Sequence, residues 1–148
     1  MANPSKVADL PQRLYMGPKI PTRVIRAYAR QIAERFHPDL VILFGSHAYG
    51  APHADSDVDL LVVMPCRNEL DMSVKINWEL PAPFPMDLLV RKPAEWAWRI
   101  RERESFATEI LTKGKVLYAK GDARMGQKGG IRLSRRRRPG RRVQTVGR

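Results

Sequence analysis

Two short, wholly apolar runs, Leu40 to Phe44 and Val58 to Met64 apart from Asp59, constrain this chain more than any other feature. Each has the length of a strand, and such continuous runs mark strands covered on both faces rather than half in water. Strands of that kind need helices packed on the sheet, so an α/β fold is expected: a small mixed sheet with flanking helices. Both runs meet polar residues at one end. Phe44-Gly45-Ser46-His47-Ala48-Tyr49-Gly50 closes the first, and Ser56-Asp57-Val58-Asp59 opens the second.

The flanking pattern supplies the helices. From Thr22 to about Phe36, Val24, Ile25, Tyr28, Ala29, Ile32, Ala33 and Phe36 recur at helical spacing between arginines, and His37-Pro38-Asp39 ends the run because a proline disfavours helix in the residue before it. Ser46 to Tyr49 reads as a single helical turn. Glu69 to Trp78 reads as a helix that turns Leu70, Val74 and Trp78 inward. The proline-rich Pro81 to Pro85 cannot be helix interior and leads into a third strand, Met86 to Val90. A helix starting at Lys92-Pro93 and another from Glu104 to Lys113, stopped by Gly114, precede a terminal apolar segment, Lys115 to Ala119. Trp96 and Trp98 are two apart on one helix, so they cannot face the same core, and one of them is a candidate contact for a partner.

With 148 residues the chain has room for one core. Three segments are expected: an N-terminal extension over 1–21, a domain over 22–119, and a tail over 120–148. The net charge of +12 belongs to that tail, where 11 Lys/Arg face 1 Asp/Glu, against 16 and 14 in the preceding residues. Glycines and the run Arg135 to Arg138 leave the tail too few apolar residues to offset the entropy of ordering, so it is expected to be disordered in isolation. It could contact nucleic acid nonspecifically through phosphates, and it has no interleaved aromatics for base stacking. No run approaches the roughly 20 apolar residues of a membrane span. Met1 to Pro11 has no signal-peptide core, so a cytoplasmic protein without membrane contact is expected. The single cysteine, Cys66, excludes an intrachain disulfide.

The polar ends of the two runs carry the chemistry. Gly45 and Gly50 let the backbone approach a ligand, the amides of the turn can donate to an anion, and Ser46 adds a hydroxyl. Asp57 and Asp59 alternate along a strand, about 6.5 Å apart on one face, where a divalent ion can sit between them. Asp87 is a third acid in front of an apolar strand. If that strand neighbours the one bearing Asp57 and Asp59, the three carboxylates meet at one edge, with strands about 4.8 Å apart. That suits one or two Mg2+ ions bridging the phosphates of ATP or another nucleoside triphosphate. Asp87, reaching only the acceptor side, is the candidate general base.

Gly45-Ser46, Gly50, Asp57 with Asp59, and Asp87 together resemble the pattern of the minimal nucleotidyltransferases of the DNA polymerase beta-like superfamily, over roughly residues 22 to 119. The resemblance implies a polymerase-beta-like fold, with Gly45, Ser46, His47 and Gly50 at the nucleotide and Asp57, Asp59 and Asp87 as catalytic metal ligands. It also implies Mg2+-dependent transfer of a nucleoside monophosphate, AMP first among them, to a hydroxyl. Small members of the antitoxin-like type pair with a helical toxin partner, which they can adenylylate, and others modify aminoglycosides. One departure is that many members carry arginine where this chain has His47. Two other functions remain in view: a catalytically weak module that binds nucleotide or partner through the same surface, and a nucleic-acid-binding protein acting through its tail.

Overall fold

The structure, a computed structural model, describes Tyr15 and residues 20–50, 52–53 and 56–121. The tail beyond Gly121 and most of the N-terminal extension lie outside the described residues. The elements follow one another as α1 (Thr22–Phe36), β1 (Leu40–Phe44), α2 (Ser46–Tyr49), β2 (Val58–Val63), α3 (Glu69–Glu79), β3 (Met86–Arg91), α4 (Pro93–Arg101), α5 (Ser105–Lys113) and β4 (Lys115–Ala119).

The strands form one sheet in the order β3-β2-β1-β4. β1 runs antiparallel to β2 and to β4, while β2 and β3 are parallel. The fold is thus a small mixed α/β sheet flanked by helices, of the polymerase-beta-like nucleotidyltransferase kind. The two apolar runs are its central strands, as their composition requires. Alternate residues feed opposite layers: Val41, Leu43, Val58, Leu60 and Val62 meet Ile25, Tyr28 and Ile32 of α1 and Ile76 of α3. Ile42, Phe44, Leu61 and Val63 meet Trp96 of α4 and Ile110 of α5.

Local chemistry sets the helix ends. His37 caps α1 in a left-handed conformation, its amide donating to the Ala33 carbonyl. Asn68 caps α3 by accepting from the Asp71 amide at 2.9 Å, and Glu104 caps α5 by accepting from the Phe106 and Ala107 amides. Those amides, Phe106 foremost, hold the Glu104 carboxyl below its ordinary range. Trp96 is buried and Trp98 half-exposed, as their spacing demands.

One orientation differs from the sequence expectation. On α3, Leu70, Val74 and Trp78 point into solvent, and the helix instead buries Ser73 and Ile76, followed by Leu80. Ile76 and Leu80 are the residues that fill the layer under α1, and burying them turns the other apolar side outward. Among the described residues, no helix is long and apolar enough to cross a membrane.

Candidate active site

β1 delivers the chain to Gly45 at one end of the sheet, and the backbone there takes φ +76°, open to glycine and unfavourable for other residues. The bend starts α2, whose Ala48 and Tyr49 amides both return to the Gly45 carbonyl, at 2.9 and 3.0 Å. This arrangement leaves the Ser46 and His47 amides without an acceptor among the described residues. Gly50, at φ +86°, closes the turn by donating to the Ser46 carbonyl.

The acids lie beside this turn. Asp59 is opposite Phe44 on β1 and opposite Asp87 on β3, so the parallel β2–β3 register sets the two carboxylates on neighbouring strands. Asp57 precedes Asp59 by two and shares its face. That face is the one on which Leu61 and Val63 meet α4 and α5, so the acids extend the apolar floor of that layer past its helices. Gly45 is built around Asp59, because a Cβ at position 45 would collide with the Asp59 carboxylate.

Electrostatics single out Asp59. Partial burial raises its pKa from 3.8 to about 6, reinforced by the charges of Asp87 and Asp57 and opposed by His47. Among the described residues, no lysine or arginine forms an ion pair with Asp57, Asp59 or Asp87. Asp57 and Asp87 are exposed, and their side chains are not drawn together: no three His, Cys, Asp or Glu side chains among the described residues are grouped so as to hold a metal ion. The donor set nevertheless suits a hard divalent cation, being all carboxylate, short of positive charge and mounted on adjacent strands. Exposed aspartates that repel one another are free to turn inward once a cation supplies the missing charge.

His47 lies across the turn, its Nε2 3.3 Å from the Ser56 carbonyl; a carbonyl only accepts, so Nε2 carries the proton. The Ser56 hydroxyl accepts from the His53 amide at 2.8 Å, tying down the approach to Asp57. Residues without a sequence signal complete the surroundings. Lys113 of α5 holds its ammonium 5.6 Å from the Tyr49 ring centre. The Tyr49 phenol is pushed above its ordinary pKa by burial, with the Glu109 charge and hydrogen bond adding to the effect and the Gly45 amide acting against it. About sixty residues separate Lys113 and Glu109 from Tyr49, and only folding brings them together.

Two other features lie elsewhere. A cavity of about 240 Å³ lined by Tyr15, Arg23, Tyr28, Gln31, Pro81 and Pro83 sits on the α1 face of the sheet, away from the acids. Cys66 follows β2 at the opposite end, and burial keeps its thiol above the ordinary pKa, unsuited to nucleophilic work.

The nucleotidyltransferase domain profile matches residues 25–111, more than half of the chain. The chain belongs to the nucleotidyltransferase domain family. The matched stretch runs from α1 to α5 and includes the turn and all three acids of this nucleotidyltransferase domain. No curated protein matches the sequence. Similar solved structures include a chain from Sulfolobus solfataricus that carries only a provisional description as a nucleotidyltransferase, 18% identical over 74% of this chain and 84% of its own, with a TM-score of 0.48. A structure of the toxin-antitoxin MntA-HpeT pair is 19% identical over 70% of this chain and 76% of its own, with a TM-score of 0.45.

Proposed function

We propose that this protein transfers a nucleoside monophosphate, AMP in the first instance, from ATP or another nucleoside triphosphate to a hydroxyl acceptor. The observation carrying the reading is the pairing of three acids without ion pairs among the described residues, set on adjacent strands, with a glycine turn shaped to one of them: Asp59 is held at a raised pKa by burial and by the charges of Asp87 and Asp57, and Gly45 leaves room for its carboxylate.

In this reading Asp57, Asp59 and Asp87 hold Mg2+. Bound there, the ion would neutralise phosphate charge and acidify the attacking hydroxyl. The Ser46 and His47 amides and the Ser46 hydroxyl orient the phosphates, as donors aimed at an anion do. The His47 ring, its Nε2–H turned to the Ser56 carbonyl, braces the segment before Asp57. Asp87, on the outer strand, accepts the proton of the acceptor hydroxyl. The oxygen then attacks the α-phosphorus, a P–O bond forms as the bond to pyrophosphate breaks, and no covalent enzyme intermediate is needed.

The acceptor is proposed to be a hydroxyl of a helical, toxin-like partner protein, which assigns the chain to a toxin-antitoxin pair. The proposed location is cytoplasmic. Incubation with α-labelled and γ-labelled ATP in Mg2+, followed by separation of protein, RNA and small molecules, tests the reading. Label from the α-position alone, in one fraction and absent with D57A/D59A, is the expected result. Acid-independent labelling, or none, would reject the transferase and leave a nucleotide- or partner-binding module.

A further inference from the structure

Helix α3 exposes three large apolar side chains, Leu70 at 72%, Val74 at 59% and Trp78 at 80%. They recur every fourth residue, so each is turned by about 40° from the last and together they make one narrow stripe. The stripe is opposite the buried side of the helix, where Ser73 and Ile76 face the sheet. A tryptophan this exposed in line with two aliphatic neighbours forms a contiguous apolar stripe, unlike the scatter of single apolar residues found on any protein.

The stripe is also self-complementary. When two α3 helices lie antiparallel about a two-fold axis at Val74, positions equidistant from Val74 oppose each other. Val74 then meets Val74 of the second copy, and Trp78 meets Leu70 of the second copy, large against medium at both ends. Asp71 and Lys75 lie on the same flank of the stripe, and the two-fold brings Asp71 of one copy within about two residues, or 3 Å, of level with Lys75 of the other. Neither side chain has an ion pair among the described residues, whereas Glu69 and Glu79 are engaged by Arg91 and Arg35. Two reciprocal ion pairs thus flank an apolar seam.

We propose that this face of α3 is the interface of a homodimer, with a second copy of this chain as its occupant. An eleven-residue helix is only about 16 Å long. The area is below that of a standard stable interface, so the dimer is weak and concentration-dependent, and the charge pairs supply register more than affinity.

Sedimentation equilibrium of the full chain, from low to high micromolar concentration and at moderate salt to screen the arginine tail, tests this. The wild type should pass from monomer to dimer over that range. Trp78→Ala, which removes the large aromatic anchor from both ends of the seam, should weaken the dimer by about tenfold or more. D71K, which places like charges across the seam, should weaken it by about fivefold. The double exchange D71K/K75D restores opposite charges across a two-fold interface and should return the affinity to near wild type. Circular dichroism should show the same fold throughout, since all these side chains are exposed. A chain that stays monomeric throughout, an unaffected W78A, or a D71K/K75D variant no better than D71K would overturn the proposal; the last result would point to a face built for a different protein.

Discussion

At the end of the sheet where β1 begins, Asp39 lies 3.9 Å from the Lys120 ammonium, Glu69 lies 3.8 Å from Arg91, and Glu69 also accepts from the Lys92 amide. At the end where β1 stops, Asp57, Asp59 and Asp87 have no ion pair among the described residues, and Asp59 is held at a pKa of about 6. The same small sheet neutralises its acids at one end and leaves them mutually repelling at the other. Crowding carboxylates costs stability, and groups with strongly shifted pKa values collect at functional sites. The paired end serves the fold, and the unpaired end is where the proposed cation would supply the missing charge.

The contrast breaks most visibly at Gly45. Gly45→Ala adds a Cβ against the Asp59 carboxylate in a left-handed backbone, so a loss of about 1–3 kcal/mol in urea unfolding is expected, with transfer activity falling to background. Gly50→Ala is the sharper control. Its added Cβ meets nothing within 4 Å, so only the backbone penalty of about 1–2 kcal/mol should remain.

The pH dependence of Asp59 comes next. Because its folded pKa is raised, the folded protein holds a proton there that the unfolded chain has released, and stability falls as pH rises through about 6. Asp59→Asn should therefore be the more stable protein at pH 8, by about 1 kcal/mol after solvent screening. The advantage should shrink as pH falls toward the ordinary aspartate pKa of 3.8, which thermal melts across pH will show. Mg2+ should in turn raise the Tm of the wild type more at pH 8 than at pH 5, and leave Asp59→Asn unmoved.

The smallest effect belongs to the paired end. Asp39→Asn removes one exposed ion pair with Lys120 and should cost less than about 0.5 kcal/mol, with no change in the response to Mg2+. A larger response there would erase the distinction between the two ends.

Much of this architecture is legible in the chain because it rests on local rules. The runs Leu40 to Phe44 and Val58 to Met64 read as covered strands and are the central pair, and α1 buries Ile25, Tyr28 and Ile32 as its spacing requires. The alignment of Asp87 with Asp59 is a condition in the sequence that the parallel β2–β3 register meets. The orientation of α3 is not legible. Periodicity shows that Leu70, Val74 and Trp78 share a side of a helix, yet Ile76 and Leu80 form a second apolar side, and only the space under α1 decides which is buried. The approach of Lys113 and Glu109 to Tyr49 is equally hidden, since it depends on where α5 crosses the sheet rather than on any local pattern.

The most direct measurement is calorimetric titration of a non-transferable ATP analogue into the wild type, Asp59→Asn and Asp39→Asn, with and without Mg2+. The expected result is Mg2+-dependent binding to the wild type, the same binding to Asp39→Asn, and its loss in Asp59→Asn. Equal binding by Asp59→Asn and the wild type, or binding indifferent to Mg2+, would contradict the assignment of the unpaired end as a metal-assisted nucleotide site.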